Sequence, residues 1–206
     1  VVEPSGFIGW YEAVDVRGKT ASRPAQHGDF DLPVFRQARL ITISGVALAS
    51  SEFDLVNMGR ALTAVAAGGD PVTLTVQDSI GYLTSVVRLS GGTKFSPHPS
   101  GLEADFQVSF KAVDPRLYGV RRSFSGGTVD VHHMGNFPAS PVVTVAGPRS
   151  APYTITGPGG RLVTVSQSLA ADQTHRIDFL TGGVFRNGAL QVGVLTDFQP
   201  WTVPAG

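Results

Sequence analysis

The amino-acid sequence predicts a mainly β protein, with an α+β domain first and an all-β domain after it. Over roughly the last ninety residues, short runs of Val, Ile, Thr and Leu are interrupted by Gly or Pro about every 8–12 residues, a spacing typical of sandwiches and barrels. Asn187-Gly188 separates two apolar runs, at 177–185 and 190–195. A type I′ turn accepts this pair, which predicts a hairpin. One helical pattern, at 50–67, interrupts the strands of the first half.

The first half opens with strand patterns on both sides of a long loop. Residues 1–16 hold apolar and aromatic side chains in partial alternation, which predicts an opening strand or a pair of strands. Residues 17–33 contain Gly, Pro and Asp without a period and are predicted to form a loop. Residues 34–46 alternate again and are predicted to form a strand of the first sheet.

A single helix is predicted after this strand. The sequence Ser-Ser-Glu-Phe-Asp at 50–54 provides an N-cap and an acidic first turn. Apolar residues then recur at helical spacing until Gly68-Gly69, namely Leu55, Met58, Leu62 and Val65. We expect this stripe to cover one face or an open end of the first sheet.

The strands are predicted to resume after the helix, at 72–78, 82–91 and 102–114. A proline and a glycine follow the last of these, at 115 and 119, which predicts a domain boundary. The two domains are then 1–116 and 117–206. The dense turn signals of the second domain predict a β-sandwich of seven or eight short strands.

Composition favours a protein that buries part of its surface against other subunits. The chain has 206 residues, of which only 16% are charged, against about 25% in a typical soluble domain. It contains 25 Gly and 14 Pro, and its net charge is zero. A surface with so few charges associates readily, so we expect contacts with further copies or partners.

Charge and hydropathy also exclude some classes of function. The halves 1–118 and 119–206 carry 10 and 6 basic residues against 12 and 4 acidic ones, so neither has the basic excess that nucleic-acid binding requires. Apolar stretches are far shorter than the roughly 20 residues of a membrane helix. We predict neither nucleic-acid binding nor membrane insertion. The absence of cysteine excludes disulfides and thiolate chemistry.

No catalytic, cofactor or metal site is predicted. His132-His133 would point to opposite faces of a strand, and His27, His98 and His175 lie on separate segments. Asp29 and Asp31 lack the other ligands of a calcium loop and are predicted to lie in a solvated turn. The sequence Gly-Pro-Gly-Gly at 157–160 lacks the Lys-Ser/Thr of a phosphate loop and is predicted to be a hairpin turn.

Blocks along almost the whole chain resemble the distal tail proteins of long-tailed bacteriophages. The blocks are RGKT and HGDFDLP in the opening loop, RLITISGVAL at 39–48, FKAVDPRLYG at 110–119, GTVDVHHMGNFPASPVVTVAGP at 127–148, HRIDFLTGGVFRNGAL at 175–190 and DFQPWTVPAG at 197–206. Within them the motifs are F-x-V-x-F-x-A-x-D-P at 106–115, G-N-x-x-A-x-P at 135–141, and I-D-F followed by N-G. The order of the blocks carries the resemblance more than any single motif.

The resemblance implies a fold and a function. The first domain would be a belt domain, a β-sheet or split barrel with one helix, and the second a galectin-like β-sandwich. The protein would be a non-enzymatic structural protein at the tail tip of the virion. It would form a ring, as a homohexamer, that joins the tail tube protein to the tail-hub, baseplate or receptor-binding proteins. A heterologous ring requires two different complementary patches on each subunit.

Two further hypotheses concern the surface. Arg36, Arg39, Arg60 and Arg88 are candidates for ion pairs between subunits, with Asp54 or Asp78. As an alternative function, the chain would be a carbohydrate-binding module for host attachment. Four rings could stack on a sugar, those of Trp10, Tyr118, Tyr153 and Trp201. The absence of Glu from 119–206 argues against the galectin type of sugar site.

Overall fold

The computed structural model describes residues 1–79 and 81–206, and their contacts divide the chain into two compact units, Val1–Val120 and Arg121–Gly206. In this part of the chain, no helix is long and apolar enough to cross a membrane. The division after residue 116 stays a prediction for the functional domains. The elements of the first unit are β1 (Val2–Ile8), β2 (Val16–Arg17), β3 (Phe35–Arg36), β4 (Arg39–Leu48), α1 (Glu52–Ala64), β5 (Val72–Gln77), β6 (Tyr82–Leu89), β7 (Lys94–Pro97) and β8 (Glu103–Ala112).

The first unit is built on an antiparallel sheet in the order β1-β4-β8-β6-β5. Strands β4 and β8 pair along ten residues, from Arg39 opposite Ala112 to Leu48 opposite Glu103. The free side of β8 is shared, because β7 pairs with its first half and β6 with its last residues. One face of this sheet buries the core, which consists of Trp10, Ile41, Val87, Val108, Phe110 and Ala112.

The predicted helix is present but ends earlier than its sequence pattern. The Ser51 hydroxyl accepts a hydrogen bond from the Asp54 N–H at 3.1 Å and donates one to its carboxylate at 2.8 Å, which confirms the N-cap. Leu55 is buried and Leu62 packs against the core. The predicted end at Gly68-Gly69 is wrong, since Val65 is extended and Ala66 has a φ of 52°.

The strands predicted for the first unit agree in part with the structure. The prediction of an opening strand or a pair of strands over 1–16 is confirmed for one strand, β1; β2 begins only at Val16 and pairs with β3. The single strand predicted over 34–46 is wrong, because the chain breaks between β3 and β4 at 37–38. Residues 72–78, 82–91 and 102–114 form strands β5, β6 and β8 as predicted, with trimmed ends.

A buried guanidinium holds the β1 end of this sheet in place. Arg39 is 6% exposed and donates from Nη1 to the carbonyls of Gly9, Trp10 and Glu12, at 2.6, 2.9 and 3.1 Å. Its Nε donates to the carbonyl of Pro115 at 2.9 Å. Burial, together with the charge of Arg36, lowers the pKa of Arg39. The prediction that Arg39 forms ion pairs between subunits is therefore wrong, because its donors are used inside the unit.

The second unit is a sandwich of seven strands, as predicted. Four strands form one sheet in the order β14-β13-β12-β9, and three form the other in the order β10-β11-β15. The strands are β9 (Val142–Ala146), β10 (Tyr153–Thr156), β11 (Leu162–Val165), β12 (Thr174–Asp178), β13 (Val184–Arg186), β14 (Ala189–Gln191) and β15 (Leu195–Phe198). Both sheets contribute to one core, formed by Val163, Val165, Ile177, Phe179 and Val184.

The turns of the second unit follow the sequence signals closely. Asn187 and Gly188 have φ values of 47° and 87° between β13 and β14, which confirms the predicted hairpin. Gly157 to Gly160 link β10 to β11, as predicted. The run 177–185 is two strands rather than one, because the Asp178 carboxylate accepts the N–H of Leu180 at 2.9 Å and stabilises a turn.

Trp201 lies outside the strands and follows the end of β15. Its ring packs edge-on against Phe179 with centroids 4.5 Å apart. A Cβ atom at Gly157 would lie 2.4 Å from this ring, so the backbone there must be glycine. Trp201 therefore closes the core of the sandwich.

We predict that Arg39→Met lowers the free energy of unfolding by about 2–3 kcal/mol, because four carbonyls lose a charged donor. Urea unfolding checks this, with Arg60→Met as the matched control, since Arg60 is exposed on α1. The control is expected to change stability by less than about 0.5 kcal/mol. Equal losses in the two variants would contradict a structural role for the buried guanidinium.

Candidate functional site

An exposed arm leaves the first unit between β1 and β4. We define the arm as residues 16–36, from the start of β2 to the end of β3; every residue in it is exposed, and so are Asp15 and Gln37 on either side. Five large apolar side chains on it are 40–63% exposed, namely Val16, Phe30, Leu32, Val34 and Phe35. Apolar side chains concentrated on such a segment indicate a surface for another chain.

The arm has local order although it buries nothing. At its base Val16 pairs with Arg36, and Gln37 donates to the Asp15 carbonyl at 2.8 Å. Near its tip Phe30 donates to the Ala21 carbonyl at 2.8 Å. Sequence reasoning treated most of this segment as a loop and missed its exposed apolar surface. The usable signal was the number of bulky apolar residues among its turn residues.

The second candidate surface is the outer edge of the sheet at β5. This strand pairs with β6 on one side only, from Val72 to Gln77. Val72, Leu74 and Val76 pack against the core, while the alternate side chains are exposed. The opposite edge strand, β1, contains Glu3 and Pro4 and shifts register between Val2 and Phe7. Charges, prolines and bulges prevent strand addition, so β1 is protected and β5 is not.

The other predicted ionic candidates are mostly used within the unit. The Asp54 carboxylate accepts hydrogen bonds from Ser50 and Ser51, and Asp78 accepts the N–H of Gly81 at 3.0 Å. Arg88 donates to the carbonyl of Gly69. Arg36 and Arg60 are exposed, and pairing of either with another subunit stays a prediction.

A charged cluster fixes the chain just after β8. Arg116 forms a forked ion pair with Asp114, with Nη2 to Oδ2 at 2.8 Å, and the Tyr118 hydroxyl donates to the same carboxylate at 2.6 Å. The hydrogen bonds from Arg116 lower the pKa of Asp114 to about 2. Backbone hydrogen bonds also join Tyr118 and Thr84 on β6. This segment is thereby held against the first unit.

A polar network crosses the core of the second unit at His175, which is fully buried. The Tyr153 hydroxyl lies 2.7 Å from His175 Nδ1, and Gln167 Oε1 lies 2.8 Å from Nε2. Gln167 in turn donates to Gln191 at 3.1 Å. A neutral imidazole that donates from Nε2 and accepts at Nδ1 satisfies all these groups. Burial, with the charge of Arg186, lowers the pKa of His175, and burial raises the pKa of Tyr153 to about 12.

The comparisons with known proteins bear on both units. No family model matches the sequence, and no curated protein matches it. Among solved structures, the crystal structure of the SPP1 Dit protein superposes with a TM-score of 0.71 at 12% identity, covering 98% of this chain and 85% of that one. This chain has the Dit fold. The resemblance predicted from the sequence, to distal tail proteins, is confirmed at the level of the fold. The SPP1 protein is described as a paradigm of the hub adsorption apparatus in phages that infect Gram-positive bacteria.

The histidines and aspartates that the sequence analysis weighed as metal ligands are not brought together. His132 and His133 do not lie on a strand, contrary to the sequence reading; the segment 121–141 is irregular, and Gly135 donates to His133 Nδ1 at 2.9 Å. Asp29 and Asp31 are exposed on the arm. Across residues 1–79 and 81–206, no group of three His, Cys, Asp or Glu side chains is placed to hold a metal ion.

The four candidate sugar-stacking rings are divided between the two units, and three of them pack in or against a core. Trp10 is 1% exposed and belongs to the core of the first unit. Tyr153 and Trp201 pack against the core of the second unit. Tyr118 is half-exposed, but it lies in the first unit under the Arg116 guanidinium, 5.7 Å away. The carbohydrate-binding hypothesis therefore has no support from the four rings on which it was based.

We predict that His175 makes the second unit less stable in acid. Its pKa is lower in the folded chain than the ordinary 6.5, so the unfolded chain takes up the proton first. The contribution of neutral His175 to the free energy of unfolding is complete above about pH 6.5. It is lost as the pH falls through the pKa that His175 has in the folded chain. Thermal unfolding between pH 7.5 and 5 checks this, with His175→Gln expected to flatten the dependence.

His98→Gln is the matched control for this experiment. Hydrogen bonding to Asp105, 3.1 Å away, raises the pKa of His98, so its contribution is present at low pH and lost as the pH rises. Removing His98 should therefore steepen the loss of stability in acid. The same pH dependence in the wild type and in His175→Gln would contradict the role of the buried imidazole.

Proposed function

We propose that this chain is a structural subunit of a phage tail tip. In the virion it forms a ring, as a hexamer, that connects the tail tube to the tail-hub, baseplate or receptor-binding proteins. The observation that carries the proposal is the Dit fold along 98% of the chain. The likeness covers both units rather than one common sandwich.

The physical character of the first unit supports assembly into a ring. Head-to-tail rings need two dissimilar surfaces on each subunit, since each interface joins one patch to a different one. The arm and the β5 edge are two such surfaces, the first apolar and the second a strand with one free edge. The low share of charged residues, 16%, suits a surface that is largely covered in an assembly.

The proposed role is architectural rather than enzymatic. The most perturbed titratable groups of the second unit, His175 and Tyr153, bond to each other in the core. The carboxylate of Asp114 in the first unit is saturated by Arg116 and Tyr118. Perturbed pKa values mark candidate catalytic groups only where the groups remain open to a substrate. Here they hold the fold together.

The native mass of the purified full chain tests the proposal. We expect a discrete closed oligomer near six times 21.6 kDa, about 130 kDa, that keeps the same mass over a wide range of concentrations. Native mass spectrometry and light scattering measure it, and negative-stain images should show rings with six-fold symmetry. A chain that remains monomeric up to its highest soluble concentration would contradict the proposal.

A further inference from the structure

The first unit has two strand edges without a neighbouring strand, one in the arm and one at β5, and each could pair with the other. The base of the arm is a ribbon of two strands, β2 and β3, with only two residue pairs. A two-stranded hairpin is marginal in water, and stable examples rest on a third strand or a packed layer. The arm has neither, because every one of its residues is exposed. The arm therefore needs a third strand or a packed layer from another molecule.

The β5 edge is a surface on this unit that a further strand can join. Its six residues, VTLTVQ, contain no charge, no proline and no bulge, and their pairing with β6 is regular throughout. An extended segment that adds to such an edge gains main-chain hydrogen bonds along its length. Thr73, Thr75 and Gln77 would stand beside the added strand on the exposed face.

The topology indicates that the arm does not pair with β5 of its own chain. The arm leaves between β1 and β4, whereas β5 forms the other edge of the sheet, with β8 and β6 between. At about 4.8 Å per strand, β5 lies roughly 14 Å from β4 and 19 Å from β1. An arm that folded back across the sheet would bury its side chains, yet Val34 and Phe35 are 62% and 63% exposed.

The charges of the two surfaces are complementary. Strands β2 and β3 carry Arg17 and Arg36, and Lys19 lies two residues after β2. The acidic residues of the arm, Asp29 and Asp31, lie nearer the tip. The β5 edge itself is neutral, with Asp70 two residues before it and Asp78 directly after it. A basic ribbon would lie between two carboxylates when it pairs with this edge.

We propose that the arm of one copy adds as a strand to the β5 edge of a second copy. The contact is heterologous, so repeating it head to tail around an axis closes a ring. Main-chain hydrogen bonds would join the strands, and Val34 and Phe35 would bury their side chains against the neighbouring copy. This inference rests on the proposed ring and adds the surfaces that form it.

Disulfide cross-linking tests the contact, because the natural chain has no cysteine. We replace Val34→Cys together with Thr73→Cys, Thr75→Cys or Gln77→Cys in turn, in the full chain. Cysteines whose Cα atoms come within about 7 Å can bond. Mild oxidation should give covalent oligomers up to the size of the ring, strongest at one or two of the three positions, and reduction should reverse them.

The matched control pairs Val34→Cys with Ser5→Cys, which is exposed on the protected edge strand β1. It should give at least tenfold less cross-linked product. A ring in which no β5 position cross-links, or in which Ser5→Cys links equally well, overturns the contact and leaves the ring standing. A natural chain that is monomeric at every concentration overturns the ring and the contact together.

A second set of variants needs no cross-linking. Val34→Asp with Phe35→Asp should weaken assembly at least tenfold in concentration by native mass, with an unchanged circular dichroism spectrum, because both side chains are exposed in the monomer. Val113→Asp is the control, since Val113 is 75% exposed and lies on neither surface. Unchanged assembly in the arm variant, or equal loss in the control, overturns the contact.

Discussion

The ten-residue antiparallel pairing of β4 with β8 is the constraint on which the first unit depends. It places Ile41, Val108 and Phe110 on one face, where they form the core. The other strands of the sheet build on this pair: β1 pairs with β4, β6 and β7 pair with β8, and β5 joins through β6. Because side chains alternate along a strand, a shift of one residue in this register would exchange the core face for the solvent face. Arg39 begins β4 and bonds four carbonyls, which fixes where the arm departs and where β8 ends.

The second unit depends on a different interaction, the polar network in its interior. His175 on β12 bonds Tyr153 on β10, so a hydrogen bond joins the two sheets inside an otherwise apolar core. A buried polar group that lacks a partner costs free energy, and the network is favourable only while each member is satisfied. It therefore selects one packing of the sheets over others. The network is also sensitive to the protonation of a single imidazole, that of His175.

The surfaces proposed for assembly have regular local structure but are not buried within the monomer. The arm holds apolar side chains that a folded monomer would normally bury, and β5 leaves a regular strand without a second neighbour. Natural proteins protect such edges unless they are used, and β1 of the same sheet shows that protection. The contrast between the two edges supports the proposal that β5 joins a strand of another copy.

Local signals in the sequence were enough to determine the helix start at Ser51, the Asn187-Gly188 hairpin and the alternation of β8, because capping, positive φ and period two act within a few residues. The order of motifs along the chain also predicted the Dit fold. Tertiary structure alone decided the rest. Arg39 and Arg36 are three residues apart, yet one is buried and the other exposed, since burial depends on which distant carbonyls converge. The arm likewise reads as an ordinary loop until the structure shows that nothing in its own chain covers it. Contacts between residues far apart in sequence are set by packing, and no local pattern encodes them.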